Sequence, residues 1–481
     1  MSSSLFSFEK DFRSCRIICT LGPASYSETV IEKMILSGMN VARLNFSHGT
    51  YEDHKKTAEI IRKVSQNLGR PVAILQDLQG HKIRVGHVQN QEYIPLTKGQ
   101  TIYLGHGETV SDQCIGIDYK GIARQVSTGE SIYLDDGAIE LKVLSIDGED
   151  ITCQVSLGGN LKSRKGVVFP DTHLDFPLID EKDNADAQFG VSLNVDMIAM
   201  SFVRSDVEIV EMRKRLATWG KQDAFIVAKI EDREGLENLD KILKVVDGIL
   251  IARGDLGVML PREKIPGIQK RIIQQVNAAG VPVITATQML ESMTYNNKPT
   301  RAEVTDVHDA VISGSDAVML SGETAAGSYP VYAVQEMDRI VREAEKELHS
   351  TKKEIPIYEQ QTTRDKVAAS VVNLAYNTGA RCILVFSATG KTIQSLAAVR
   401  SRTPVYGVVA EEQLLRRLIL YRGHSMIAIP EEKQLENLIA PTFQQLKEKE
   451  IIQPGDSVVV VARQEKAGMQ ESYLIKLHVL G

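Results

Sequence analysis

Ionic and hydroxylated residues cluster at the ends of short apolar runs in this sequence. Arg43, Asn45, Ser47 and His48 follow one run, and Asp77, with Lys82 and Arg84 just beyond it, follows another. Further along come Ser201 and Phe202, then Lys229 and Glu231, then Arg253, Gly254 and Asp255, then Thr287, and last Ser321 and Glu323. Any one of these could be a solvated loop charge. The same habit at seven runs points instead to one convergent site. Glu231 and Asp255 suit a hard, oxygen-ligated cation, Mg²⁺ or Mn²⁺. Lys229 and Glu231 share one face of an extended strand, which places an ammonium beside that metal. Arg43, Arg84 and Arg253 add capacity for phosphate or carboxylate. Gly254 and the residues after it would open a short helical turn whose amides could hold a carboxylate. There is no Ser-His-Asp set and no evident covalent nucleophile. Phosphoryl transfer, or enolate chemistry on a metal, fits this inventory best.

Such a site needs elements that bring the run ends together. Eight β-branched runs, Arg16–Thr20, Asn40–Asn45, Val72–Asp77, Val195–Ser201, Ala224–Ile230, Gly248–Ala252, Val283–Thr287 and Ala317–Leu320, are separated by helix-length amphipathic stretches such as Ser205–Thr218 and Pro266–Ala279. Eight βα units predict a (β/α)8 barrel, with residues 1–86 and 170–348 as its two parts. Residues 87–169 read as an all-β insert that would lie over the barrel mouth as a lid; Ala138–Ile146 and Ile151–Leu157 form a predicted hairpin there. Residues 349–363 read as a linker. Residues 364–481 read as a smaller α/β domain, with strands at Arg381–Phe386, Val405–Val409, Ser425–Ile429, Ser457–Ala462 and Leu474–Val479.

Composition narrows the remaining classes. The 481 residues carry 56 Lys and Arg against 62 Asp and Glu, a net charge of −6, which offers no broad attraction to nucleic acid or an anionic membrane. Five cysteines without a C-x-x-C pair predict neither a disulfide framework nor a structural zinc site. No apolar run approaches a bilayer-spanning length and the N-terminus has no leader-like apolar stretch, so the expected setting is cytoplasmic.

Longer motifs then identify a family. TLGPAS (Thr20–Ser25), NVARLNFSHG (Asn40–Gly49), KIEDREGLENLDKIL (Lys229–Leu243), ARGDLGV (Ala252–Val258), ATQMLESM (Ala286–Met293) and the stretch Pro299–Pro330 resemble those of pyruvate kinases, from about Arg16 to the C-terminus. The resemblance implies a barrel with a β lid and a C-terminal α/β domain. It implies transfer of the phosphoryl group of phosphoenolpyruvate to ADP, giving pyruvate and ATP, and a homotetramer. By the same resemblance Lys229 would neutralise the phosphoryl group in flight and the emerging enolate. Glu231 and Asp255 would bind Mg²⁺. Arg43 would contact the substrate phosphate, while Gly254, Asp255 and Thr287 would hold its carboxylate. Asn45, His48, Arg84 and the lid residue Lys165 would meet the nucleotide. The enolate's proton would come through Thr287, Ser321 or Glu323, with no choice among them. A metal-enolate lyase acting on pyruvate-like acids, and a silent sensor retaining only the C-terminal domain's role, are the alternatives; neither needs Arg84 and Lys165 together with a complete Lys229, Glu231 and Asp255 set.

Departures from the family pattern sharpen two expectations. His81 stands where proline is usual and Phe169 where leucine is common, and Arg463–Ser472 lacks a glycine-rich signature. Asn45, Ser47 and Asp77 offer oxygens to a monovalent cation. Lys82, however, occupies the place of a glutamate typical of K⁺-requiring members, and Leu78 and Gln79 those of a threonine and a lysine. A fixed ammonium there would supply the positive charge and repel K⁺, so K⁺ is expected to be dispensable. In the C-terminal domain, Ser387, Thr389, Gly390, Lys391 and Thr392 follow a strand and open a helix. They could cradle a phosphate, and the family's effector loop falls here, which implies a phosphorylated sugar or nucleotide as activator. A plain capped βα turn is the alternative.

Overall fold

The structure is a computed structural model that describes residues 13–89, 91–350, 362–429, 435–464 and 472–481. The eight runs form strands Arg16–Leu21, Val41–Asn45, Ala73–Asp77, Met197–Met200, Phe225–Ile230, Gly248–Ala252, Val283–Ala286 and Ala317–Leu320. Each pairs in parallel with its sequence neighbour and the last pairs with the first, closing the expected barrel. Alternation decides what faces the axis. Ile18, Val41, Leu75, Met197, Ala199, Phe225 and Val227 belong to one apolar interior cluster. Counting onward by two along the same strands reaches Thr20, Arg43, Asp77, Ser201, Lys229 and Glu231, so the apolar interior gives way to a charged top layer.

The bottom of the barrel is closed by a repeated device. Asn40, Asp196, Asp247 and Asp316 each stand one residue ahead of an even-numbered strand. Their side chains accept the amides of Ile17 (3.0 Å), Ile74 (2.8 Å), Ile226 (2.9 Å) and Val283 (2.8 Å) on the strand before. Buried strand-end amides need such acceptors. Each acceptor is in turn met by an arginine: Arg13, Arg62 with Arg416, Arg213, and Arg400 respectively.

Arg400 and Arg416 belong to the C-terminal domain, a five-stranded sheet ordered His424–Ala428, Val405–Val409, Cys382–Phe386, Ser457–Gln464, Ser472–Val479, with only the last strand antiparallel. This domain covers the barrel bottom. Tyr421 meets Phe225 edge-on at 6.4 Å, and Arg16 donates to the carbonyls of Ile419 and His424.

The insert is a nine-stranded mixed sheet with its own core, including Ile102, Leu104, Ile132, Leu141 and Val155. Its predicted hairpin is present as Ile139–Asp147 and Asp150–Leu157, with two register shifts. The sheet already starts at Ile83–Arg84, upstream of the expected boundary at 87, because those residues pair with Gly166 and Val167. The expected linker is also shorter at both ends. His349 and Ser350 complete the helix Pro330–Ser350, and Thr362 caps the helix Thr363–Asn377 through a reciprocal bond with Asp365. Residues 351–361 and 465–471 lie outside the described residues, and with them most of the linker and of the stretch Arg463–Ser472.

Asp196→Ala would take from the buried Arg416, left with Glu412 alone, and from Arg62 the carboxylate they share. Removing one partner of a buried pair costs about 3–5 kcal/mol. The expected outcome is a large fall in the denaturation midpoint, with Asp196→Asn losing markedly less; urea or thermal melts followed by circular dichroism check it.

Candidate active site

Four neighbouring strands supply the centre of the charged layer. Lys229 Nζ donates to Ser201 Oγ at 2.7 Å and lies 3.2 Å from Asp77 Oδ1 and 3.1 Å from Glu231 Oε1. Asp77 is held from its other side by Arg43, whose Nε bonds Oδ2 at 2.6 Å while its Nη1 bonds Thr20 Oγ1 at 2.8 Å. Ser201 passes its own proton to the Leu78 carbonyl at 2.7 Å. Lys229, Asp77 and Glu231 are all buried. Burial alone would lower the Lys229 ammonium, but the carboxylates of Asp77 and Glu231 more than reverse this and leave it above its ordinary value. Burial alone would raise Asp77, and Arg43 and Lys229 turn it below its ordinary value. Both groups therefore stay charged.

Glu231 behaves differently. Burial first, and then the charge of Asp255, push it above its ordinary value even though Lys229 opposes them. Its Oε2 accepts the Phe202 amide at 2.7 Å. A carboxylate short of positive charge beside a second carboxylate fits a divalent cation. Among the described residues no group of three or more His, Cys, Asp or Glu is gathered for a metal. The ion would thus take two carboxylates from the protein and complete its shell with water and substrate oxygens, the usual habit of Mg²⁺.

The expected helical turn is present: the helix Arg253–Met259 starts directly at the end of its strand. The Gly254 amide donates to Thr287 Oγ1 at 2.8 Å. Thr287 and Gln288 have φ of 64° and 55°, and Phe202 has 52°. A β-branched residue rarely adopts that region, at a cost of about 1–3 kcal/mol. Arg253 corrects one expectation. Its guanidinium is buried and bonds the carbonyls of Thr287 (2.6 Å) and Ala286 (3.3 Å) and Asp306 Oδ1 (2.6 Å). It braces the strained turn and is not free for an anion. Ser321 stands at the end of the eighth strand, and Glu323 is buried with its oxygens on the amides of Leu290 (3.1 Å) and Ser321 (2.7 Å); burial raises it.

At the mouth, Ser47 and Asn45 form a local turn in which Asn45 Oδ1 accepts the Ser47 amide at 3.1 Å. His48 is exposed there and lies below its ordinary pKa, through partial burial and then the charges of Arg84, Lys82 and Arg43. Arg84 bonds the Arg164 carbonyl of the lid, and Lys165 pairs with Asp135 at 2.8 Å. Both oxygens of Asp77 are taken, Oδ2 by Arg43 and Oδ1 by Lys229. Lys82 Nζ sits over the Phe202 ring, 5.5 Å from its centroid. A cleft of roughly 1210 Å³, lined by Lys82, the lid residue Asp136, Gly254, Asp255 and Gln288, opens beside this cluster. Far from it, Ser387 and Thr392 of the proposed effector loop are buried while Thr389 and Lys391 are exposed. Gly390 there has φ 78°, and a Cβ would stand 2.8 Å from Leu418 Cδ1. Thr20 and Asp306 entered the site without a signal of their own type or spacing. Each enters the site as the partner of an arginine.

The comparisons with known proteins agree with the fold. Residues 12–334 match the family described as pyruvate kinase, barrel domain, and residues 365–478 match pyruvate kinase, alpha/beta domain. A pyruvate kinase of Geobacillus stearothermophilus is 40% identical over 473 residues, spanning 97% of this chain and 80% of that protein. One of Leishmania mexicana is 39% identical over 484 residues, spanning 97% of this chain and 96% of that protein.

Proposed function

The chain belongs to the pyruvate kinase family and transfers the phosphoryl group of phosphoenolpyruvate to ADP; we propose that Lys229 is the residue through which the barrel stabilises that transfer. The observation that carries this reading is a buried ammonium held charged by Asp77 and Glu231. Such a group presents fixed positive charge to oxygens that become more negative as the phosphoryl group moves and the enolate forms. A divalent cation at Glu231 and Asp255, when bound, polarises the substrate oxygens. Gly254, Asp255 and Thr287 receive the carboxylate, and Arg43 the phosphate. Asn45, His48, Arg84 and Lys165 receive the nucleotide, in keeping with the cationic mouth around His48. A proton reaches the methylene carbon through Thr287, Ser321 or Glu323, which lie just past the seventh and eighth strands. A cytoplasmic setting belongs to the same reading; among the described residues no helix is long and apolar enough to cross a membrane.

We also read Lys82 as a permanent substitute for the monovalent cation, on its place over Phe202 and its electrostatic reach to Glu231 and His48. Assembly as a homotetramer fits the last strand, where Ile475, Leu477 and Val479 are exposed on one edge of the C-terminal sheet.

Three outcomes follow from this reading. Lys229→Met leaves Asp77 and Glu231 without their shared ammonium, so its fold is checked by circular dichroism; the folded variant should lose about a hundredfold or more in kcat, since a preorganised charge is worth ~3 kcal/mol, and a pyruvate-detecting coupled assay showing less than about a tenfold loss would remove Lys229 from this role. Wild type should keep full activity when a bulky organic cation replaces K⁺ at constant ionic strength and saturating Mg²⁺, and Lys82→Glu should become K⁺-dependent. Stimulation of wild type by about tenfold, a barrier change of ~1.4 kcal/mol, would show that the ion and not the lysine supplies the charge. Sugar phosphates or AMP should activate wild type, sedimenting as four chains, but not Thr389→Ala/Lys391→Ala; equal responses in both proteins would discard the effector loop.

A further inference from the structure

The first turn of the helix Glu181–Ser192 touches two active-site loops at once, and we propose that Asp183 is a positioning residue for Lys82, acting through the loop that follows the third strand. The proposal deepens the reading of Lys82 given above, and its potassium arm rests on that reading.

Asp183 Oδ1 accepts the amides of Gln79 (3.1 Å) and Gly80 (3.2 Å), and its Oδ2 accepts that of Gly80 at 3.1 Å. On the opposite side the loop is wedged against the end of the fourth strand. Gly80 has φ 69°, and a Cβ there would lie 2.7 Å from Ser201 Cβ and 3.0 Å from the Ser201 carbonyl oxygen. Only glycine fits a left-handed position with so little room. Ser201 is the hydroxyl that receives Lys229, so the wedge is registered against the catalytic ammonium itself.

The next residue, His81, stacks on Phe176 with centroids 4.6 Å apart and planes 4° from parallel, and its Nδ1 lies 3.5 Å from Asp180. From this anchored pair Lys82 emerges over Phe202, whose amide binds Glu231. An unbroken series of contacts therefore runs from Asp183 through Gly80 to Lys82 and on to a metal-site carboxylate. The adjacent Lys182 extends the same turn to the loop after the second strand, where it donates to the Phe46 carbonyl at 2.9 Å beside Ser47 and His48.

Capping does not account for Asp183. Asp180 already fills that need, accepting the Asp183 amide at 2.6 Å. Burial, and then the charge of Asp180, push Asp183 up to about 7. A second buried carboxylate beside the cap costs stability and is explained by the two loop amides it holds.

A double-mutant cycle tests the proposal on the full-length enzyme at saturating Mg²⁺, because residues acting through one another are non-additive. Asp183→Ala should lower kcat by about fivefold or more in the wild-type background and by less than about twofold in a Lys82→Ala background. It should also introduce K⁺ stimulation absent from wild type, whereas Asp183→Asn, which keeps an acceptor oxygen, should behave like wild type. Equal losses in the two backgrounds overturn the proposal, whatever wild type does with K⁺. Non-additivity together with a strongly K⁺-stimulated wild type keeps the positioning role and retires only the fixed-cation reading. Should Asp183→Ala not fold, Asp183→Ser, whose single hydroxyl oxygen stands in for a carboxylate that holds two amides, enters the same cycle.

Discussion

A lysine ammonium buried between two carboxylates sets the terms for this molecule. Lys229 survives away from water only because Asp77, Glu231 and Ser201 surround it, and Asp77 survives only because Arg43 faces it from the next strand. Breaking one member of such a group leaves an uncompensated buried charge. The group also requires four strands in one register: Asn45 lies beside Asp77, Asp77 beside Ala199, and Met200 beside Ala228. A slip of one residue would turn the charges toward the helices and bring Ile74, Ile198 or Ile226 to the axis. The closed barrel and the charged layer are therefore one constraint.

The two ends of the barrel solve opposite electrostatic problems. At the bottom, side chains preceding alternate strands take up strand amides and are themselves neutralised by arginines, two of them supplied by the C-terminal domain. At the top, Glu231 is pushed toward neutrality, and His48 sits among cations. In the proposed reaction the partners of these groups arrive with substrate and metal, and the two ends then divide into a stability face and a catalytic face.

Left-handed backbone recurs at the same top face. Phe202, Thr287 and Gln288 all take left-handed backbone conformations directly beyond strand ends. Arg253 holds the Thr287 turn by its carbonyls, and Glu323 holds the next loop by the Leu290 amide. Such backbone persists because the surrounding structure over-determines it. The lid enters this scheme through Ile83–Arg84, which belong to its sheet while standing a few residues from Asp77.

The amino-acid sequence alone determined the strands, their number and parallel order, the lid as an all-β insert and the residues at the strand ends. Those features are written in local periodicity: alternation placed Lys229 and Glu231 on one face, and the long motifs placed them in a family. Sequence could not tell that the Arg253 guanidinium turns into the protein to brace Thr287 and Asp306, since residue type gives a charge but not its direction. Nor could it distinguish Asp183 from an ordinary acidic residue at a helix start. Its partners, Gln79 and Gly80, lie more than a hundred positions earlier, beyond the whole lid. Contacts of that separation leave no period in the chain and exist only once the barrel has closed. The strand register is a local property repeated eight times, whereas the bracing of the site is a property of the closed ring.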